Sequence, residues 1–138
     1  MITKGETYII GEIGQNHNGS VDIAKLIVEL IARPVHEDVF SLDLKPMNAV
    51  KMTRRDLKEE LTTTQMNRPY VNNNSFGATY GEHRAFLELD DDAHYEVYKF
   101  AKEKGLDFVE TLCAKGCLSI FKLFTPDYLK VASRDLTN

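Results

Sequence analysis

Short apolar runs alternate with amphipathic helical stretches along this chain, and the alternation limits the folds that it can adopt. The apolar runs lie at residues 7–13, 49–53, 106–112 and 128–132. Helical spacing of apolar side chains follows Ser20 at residues 21–31, recurs at residues 90–104 and predicts a short helix at 117–124. Strands that alternate with helices form parallel sheets through right-handed crossovers. The pattern therefore predicts an α/β protein with about four parallel strands.

The first apolar run ends in a carboxylate and a glycine-rich loop. Residues 8–20 read YIIGEIGQNHNGS, so Glu12 interrupts a series of apolar side chains. An ionisable group in such a run faces a cavity or needs a buried partner, and we favour the cavity. Because α/β barrel enzymes build their sites at the carboxyl ends of strands, this stretch is more typical of an enzyme than of a binding module.

Two segments compete for the second strand. Residues 49–53 form a short apolar run that carries Lys51, whereas residues 39–44 alternate weakly. The alternative strand would take residues 40–45 and offer Lys45 instead. A polar stretch rich in Asn, Thr and Gly follows at residues 58–89. It is too long for an ordinary connection, so we expect it to be functional or mobile.

The composition argues against several function classes. Seventeen Lys and Arg residues face 21 Asp and Glu, a net charge of −4, so the chain lacks the basic surface that nucleic acid requires. The apolar run at residues 8–13 is too short to span a bilayer, and no charged leader precedes it. We expect a cytoplasmic protein without a nucleic-acid or membrane partner. Cys113 and Cys117 lack the spacing of redox or zinc motifs, so we expect free thiols.

Five motifs in order resemble the sialic acid (N-acetylneuraminate) synthase family and its spore-coat-polysaccharide relatives. They are EIGQNHNG at residues 12–19, AVK at 49–51, NSFGATYGEHR at 74–84, FVET at 108–111 and KVASRDLTN at 130–138. Several ordered motifs are more specific than one glycine-rich match. The match of the AVK motif is the reason to prefer Lys51 over Lys45 in the second strand.

The resemblance implies a fold and a reaction. Members of the family are (β/α)8 TIM barrels that condense phosphoenolpyruvate with an N-acetylated amino sugar such as N-acetylmannosamine, and release phosphate. They use a divalent metal, Mn or Mg, held by histidines on later strands, so we expect no metal ligand in this chain. Residues 1–138 would form the amino-terminal portion of the synthase barrel, with a long loop at 58–89.

The resemblance also assigns residues to the phosphoenolpyruvate pocket. This substrate carries a phosphate and a carboxylate, so its pocket needs cations and hydroxyl donors from several strands. Lys51 and Lys130 would bind the anion, and Thr111 and Ser133 would hydrogen-bond its oxygens. Taken without the family, a lysine at a strand end is more often a solvated charge, and a threonine or serine often bonds the nearby backbone.

Further residues would serve the sugar side of the reaction. Glu12 and Asp135 would be catalytic, orienting the sugar or handling a proton. Thr53 would bind substrate where the family has a glutamine that contacts the sugar, so the sequence does not predict that amide contact and leaves the choice of sugar open. His83 and Arg84 would bind substrate, although a structural histidine and a loop-anchoring salt bridge are the competing interpretations.

The remaining histidines are given structural roles. His17 and His83 come from loops far apart in sequence, which is a weak metal signal, and we assign no metal to them. We interpret His17 as a hydrogen-bonded structural residue. His36 and His94 are expected on the surface.

The chain is short for a barrel, which takes about 250 residues, whereas this sequence has 138. An open four-stranded sheet exposes two edges, so we expect a homo-oligomer or the remainder of a longer polypeptide. Two functions stay open: the condensation itself, incomplete in this chain, and a noncatalytic self-associating half-barrel that keeps an anion site without the metal. A relative that acts on sugar phosphates is less favoured because the NHNG and YGEHR elements indicate the sialic acid branch.

Overall fold

A four-stranded parallel sheet with helices packed on one face forms the centre of the computed structural model, which describes residues 5 and 7–137. The strands in chain order are β1 (Ile10–Gly14), β2 (Val35–Glu37), β3 (Leu42–Leu44), β4 (Ala49–Arg54), β5 (Asp107–Leu112) and β6 (Tyr128–Lys130). The parallel sheet has the order β1-β4-β5-β6, and β2 pairs with β3 in a separate antiparallel hairpin. The four predicted parallel strands are confirmed.

Five α-helices connect these strands among the described residues. They are α1 (Val21–Ile31), α2 (Leu57–Glu60), α3 (Thr63–Met66), α4 (Tyr80–Leu87) and α5 (Asp91–Glu103), with 3-10 turns at Lys115–Lys122 and Ser133–Asp135. The two long helices begin where the sequence predicts. Ser20 Oγ accepts a hydrogen bond from the Ile23 amide, and the Asp90 carboxylate accepts one from the Ala93 amide. The predicted short helix at residues 117–124 is a 3-10 helix displaced by two residues.

The hydrophobic core lies between the sheet and the two long helices. Its buried members include Ile13, Ala24, Val28, Val50, Met52, Val97, Ala101, Phe108 and Ile120. Alternate residues of a strand point to opposite faces, so the residues between these core positions project to the other face of the sheet. That other face carries the polar side chains from which the candidate site is built.

Strand register places the predicted site residues side by side on that second face. Glu12 pairs with Lys51 between β1 and β4, and Thr53 pairs with Thr111 between β4 and β5. Thr111 in turn pairs with Lys130 between β5 and β6. All five residues therefore lie in two adjacent rows at the carboxyl ends of the strands.

The segment between α1 and β4 folds differently from the alternative strand at residues 40–45. It forms the β2–β3 hairpin, and Lys45 follows β3 outside the parallel sheet. Lys51 lies in β4, so the preference for residues 49–53 is confirmed. The polar stretch at residues 58–89 contains most of α2 and all of α3 and α4. Among the described residues, no helix has the length and apolar character needed to cross a membrane.

Gly19, in the loop after β1, offers a test of how tightly this loop packs. Its φ is +73°, and a Cβ at this position would lie 2.3 Å from the carbonyl oxygen of Phe86. Gly19→Ala is therefore expected to lower the free energy of unfolding by about 3 kcal/mol, from backbone strain and the clash together. Urea denaturation followed by circular dichroism measures the change.

Gly105 provides the matched control for that substitution. Its φ is +77°, but a Cβ there would meet nothing within 4 Å. Gly105→Ala should cost only the conformational strain, about 1 kcal/mol. Equal losses in the two variants would contradict the close packing of the loop on Phe86.

Candidate active site

A pocket of about 280 Å³ opens at the carboxyl ends of β4, β5 and β6. It is lined by Lys51, Thr53, Arg55, Thr111, Cys113, Lys130, Ala132, Ser133 and Arg134. Four of the lining residues are cations and none is a carboxylate. Lys51, Thr53 and Arg55 alternate along one segment, which explains why all three project to the same side. The pocket is thus suited to an anionic ligand.

Lys51 forms the buried base of the pocket. Its ammonium makes an ion pair with Glu12, and the residue is only 9% exposed. The Glu12 side chain is 53% exposed and the Lys51 side chain 11%, so the ion pair is open to solvent mainly on the Glu12 side. Glu12 does not line the pocket. It contacts Lys51, which does.

Two further groups in the pocket have no partner within residues 7–137. The hydroxyl oxygen of Thr111 is buried without a hydrogen bond, and Lys130 makes no ion pair there. Ser133 begins the 3-10 turn that follows β6 and lines the pocket beside them. Buried polar groups are usually hydrogen-bonded, so the unsatisfied Thr111 hydroxyl marks a position where a ligand oxygen would bind.

Two arginines at the rim of the pocket share one carboxylate. Glu60 Oε2 accepts a hydrogen bond from Arg55 Nη1 at 2.9 Å and from Arg134 Nη2 at 2.5 Å. The hydrogen bond with Glu60 raises the pKa of the Arg134 guanidinium, which stays charged. Asp135 lies 3.5 Å from Arg134 Nε and lines an adjoining depression with Glu59 and Glu60, not the Lys51 pocket.

The structure places His83 and Arg84 on α4, away from the Lys51 pocket. The His83 ring centroid lies 4.6 Å from that of Tyr70, and its Nδ1 accepts a hydrogen bond from the Phe76 amide at 3.2 Å. Arg84 forms an ion pair with Glu88 at 3.5 Å. His83 also lines a second, amide-rich depression near the carboxyl end of β1. The substrate roles of both residues stay predictions.

His17 and His94 are both buried behind the site. His17 is 1% exposed, and its Nδ1 accepts a hydrogen bond from the Gly19 amide at 3.1 Å. Burial, together with repulsion from His94, lowers the pKa of the His17 imidazole, so the ring is neutral near pH 7. This geometry is that of the structural histidine which the sequence predicts.

The expected surface position of His94 is wrong. The residue is fully buried, and its Nδ1 lies 3.0 Å from Glu110 Oε2, which is also buried. His94 shares a helix face with Val97 and Ala101, and this spacing is the signal that could have revealed its burial. His36 is exposed as predicted and contacts Asp43 across the β2–β3 hairpin.

Cys113 and Cys117 carry free thiols, and burial raises the pKa of each. Cys113 lines the pocket, whereas the Cys117 thiol donates to the Arg54 carbonyl oxygen. Within residues 5 and 7–137, no group of three His, Cys, Asp or Glu side chains is placed to hold a metal ion.

Comparison with known proteins identifies the family of this chain. A model of the NeuB family matches residues 45–138, well over half of the sequence. The chain belongs to the NeuB family. The matched region contains β4, β5 and β6 and therefore every residue that lines the pocket. The resemblance to sialic acid synthases is thereby confirmed.

Curated relatives of this NeuB-family chain are named as synthases. The N-acetylneuraminate-9-phosphate synthase of Drosophila melanogaster is 29% identical over 131 residues, which are 95% of this chain and 32% of the relative. The human protein of the same name is 30% identical over 131 residues, with 95% and 33% covered. The N,N'-diacetyllegionaminic acid synthase of Campylobacter jejuni is 26% identical over 133 residues, with 96% and 37% covered. The chain spans about a third of the length of these relatives.

Solved structures agree with the fold. The sialic acid synthetase of Leptospira borgpetersenii aligns with a TM-score of 0.63 at 21% identity, over 97% of this chain and 41% of that one. A spore coat polysaccharide biosynthesis protein E of Chromobacterium violaceum aligns with a TM-score of 0.68 at 18% identity, over 93% and 34%. The predicted half-barrel of four parallel strands is confirmed.

Proposed function

We propose that this NeuB-family chain carries the phosphoenolpyruvate site of a synthase that makes a nonulosonic, sialic-type acid. The observation that supports this function is the convergence of Lys51, Thr111, Lys130 and Ser133 on one pocket that no carboxylate lines. Two ammonium groups and two hydroxyls are the donors that a phosphate and a carboxylate on a small molecule require. The co-substrate is an N-acetylated amino sugar of the N-acetylmannosamine type.

The proposed reaction joins the enol carbon of phosphoenolpyruvate to the aldehyde carbon of the sugar. Water adds to the carbon that bears the phosphate, the carbon–oxygen bond to phosphate breaks, and phosphate leaves. Lys51 and Lys130 hold the anion and offset charge on the departing phosphate. Glu12, beside Lys51 and open to solvent, orients the sugar or takes a proton, and Asp135 acts from the adjoining depression.

The sugar is proposed to bind near the carboxyl end of β1. The depression there has Gln15, Asn16 and His83 in its lining, together with the ring of Phe76. Amide groups suit sugar hydroxyls because each amide both donates and accepts hydrogen bonds. Thr53 supplies a shorter polar contact than the family's glutamine.

A divalent metal, Mn or Mg, is part of the proposal for the whole enzyme only. The described residues do not fit such an ion, because no three potential ligands are placed together among them. No step of the proposed reaction is therefore routed through a metal here. The protein is proposed to act in the cytoplasm, without a nucleic-acid or membrane partner.

Calorimetric titration with phosphoenolpyruvate tests this proposal. The chain is expected to bind phosphoenolpyruvate, and Lys130→Gln is expected to weaken binding about 10-fold because a charge-assisted contact is lost. Lys122→Gln is the matched control, since Lys122 is an exposed lysine outside the pocket. Absent binding, or equal affinities in the two variants, would contradict the assignment.

A noncatalytic, self-associating half-barrel is the second candidate. Exposed apolar side chains at both outer strands favour it: Ile10 of β1 is 44% exposed and Leu129 of β6 is 54% exposed. A second copy of the chain, or the remainder of a longer polypeptide, would cover these edges. Light scattering detects a dimer. This candidate requires anion binding that Mn does not affect, and no release of phosphate from phosphoenolpyruvate in the presence of any amino sugar.

A further inference from the structure

We propose that the β2–β3 hairpin makes this chain a dimer, in which the hairpin tip of each copy occupies a groove at the hairpin base of the other copy. The tip comprises residues 38–41, between the two strands. The groove lies at the amino ends of β1 and β4, since the residues directly before both strands line it. It is therefore at the opposite end of the sheet from the Lys51 pocket, and this inference does not depend on the proposed function.

The groove combines apolar side chains with two cations. Its volume is about 430 Å³, and Ile9, Leu30 and Leu44 contribute to the apolar part of the lining. All three of these side chains are exposed to solvent. Arg33 and Lys45 also line the groove, and the described residues contribute no carboxylate to it. An exposed apolar groove of this size is typical of an interaction site, and its two cations favour an occupant with negative charge.

The hairpin tip is an apolar and acidic segment. Val39 is 80% exposed and Phe40 is 75% exposed. The Glu37 carboxylate accepts hydrogen bonds from the amides of both residues, at 2.9 Å and 2.8 Å, so it holds the backbone of the tip in place. Asp38 is exposed beside them, and residues 36–43 contain three carboxylates and no Lys or Arg. The tip therefore complements the groove in both polarity and charge.

The geometry of the hairpin favours a second copy of the chain as the occupant of the groove. Directly opposed residues of an antiparallel pair project to the same face, so Val35, Leu42 and Leu44 form one apolar face that runs from the groove toward the tip. The tip cannot reach the groove at its own base, because three residues of strand separate them by about 10 Å. Two hairpins that pack antiparallel about a two-fold axis bring each tip to the base of the other. This exchange closes at two copies.

Sedimentation equilibrium of the chain measures the proposed dimer. Phe40→Ser is expected to weaken self-association at least about 10-fold, because the aromatic ring would no longer fill the groove of the other copy. Val71→Ser is the matched control, since Val71 is 86% exposed but lies outside the hairpin, in the long connection after β4. It should leave the dissociation constant unchanged, and circular dichroism should show that both variants stay folded.

An exchange of charges tests the complementarity of tip and groove. Asp38→Lys brings a cation to a cationic groove, and Lys45→Glu brings a carboxylate to the groove that receives an acidic tip. Each variant alone should therefore dimerise at least about 10-fold more weakly. An equimolar mixture of the two variants should form a heterodimer, because each tip then meets a groove of opposite charge. The double variant Asp38→Lys with Lys45→Glu should also associate more tightly than either single variant.

Four outcomes would overturn the hairpin dimer. The first is a chain that stays monomeric at every concentration, and the second is an equal effect of Phe40→Ser and Val71→Ser. The third is a mixture of the two charge variants that associates no more tightly than its components. The fourth is loss of the dimer in Leu129→Ser with unchanged association in Phe40→Ser, which would place the contact at β6 instead.

Discussion

Replacing His94 with leucine is expected to lower the free energy of unfolding by about 3–5 kcal/mol. Among the described residues, the substitution removes the one side chain that lies within hydrogen-bond distance of the buried Glu110 carboxylate, whose Oε2 lies 3.0 Å from His94 Nδ1. Both side chains lie at most 1% exposed between α5 and the sheet, so water cannot replace the lost contact. Urea denaturation of the two proteins, followed by circular dichroism, gives the difference.

The double replacement His94→Leu with Glu110→Leu should recover most of that loss. His94 Nε2 and Glu110 Oε1 are buried without hydrogen bonds among the described residues, so an apolar pair removes two unsatisfied atoms as well. The matched control is His36→Leu, because His36 contacts Asp43 at 2.8 Å on the exposed hairpin. It should cost less than about 1 kcal/mol. A loss for His94→Leu as small as that of His36→Leu would contradict the buried pair.

The pairing of His94 with Glu110 also shows which contacts a single sequence does not predict, namely those between side chains of different elements. Periodicity predicts α5 and its apolar face correctly, because the spacing of Val97 and Ala101 is a property of one segment. A polar residue on that face is buried only if another element supplies a partner. Glu110 comes from β5, and a single sequence gives no sign that the two side chains meet.

The β2–β3 hairpin was missed for a related reason. Its strands have three residues each and expose Val35, Leu42 and Leu44, so the apolar pattern does not resemble a half-buried strand. The turn between them uses Ser41 at a φ of +52° instead of the Asn-Gly or Asp-Gly pair that indicates a hairpin. Lys45 is consequently outside the sheet that holds Lys51.

The candidate site also contains residues that the sequence predicts together and residues that it does not. Lys51, Thr111, Lys130 and Ser133 were predicted together because carboxyl ends of parallel strands meet at one edge of a sheet. The Arg55–Glu60–Arg134 cluster was not predicted, because it depends on where α2 lies relative to the turn after β6. Local sequence determines the strands, whereas the position of a four-residue helix in a long connection depends on tertiary contacts.

Lys51→Met is expected to weaken phosphoenolpyruvate binding about 100-fold, the largest effect on affinity of any substitution in the pocket. Lys51 is 9% exposed, so the attraction of its ammonium for an anion is screened less than that of the exposed Lys130. Methionine keeps the apolar stem, and Glu12 stays 53% exposed, so stability should change little. Calorimetry measures the affinity, and wild-type affinity in this variant would contradict a role for Lys51 in anion binding.

Glu12→Gln should change the affinity in the opposite direction. In the free protein the Glu12 carboxylate pairs with the Lys51 ammonium, and an incoming anion must compete with it. Removing the negative charge while keeping the side-chain shape should tighten phosphoenolpyruvate binding, by about 5-fold for a half-exposed pair. Weaker binding in Glu12→Gln would show instead that Glu12 positions the ammonium for the ligand. The two outcomes distinguish a carboxylate that competes with the anion from one that orients its binding group, independently of any role Glu12 has toward the sugar.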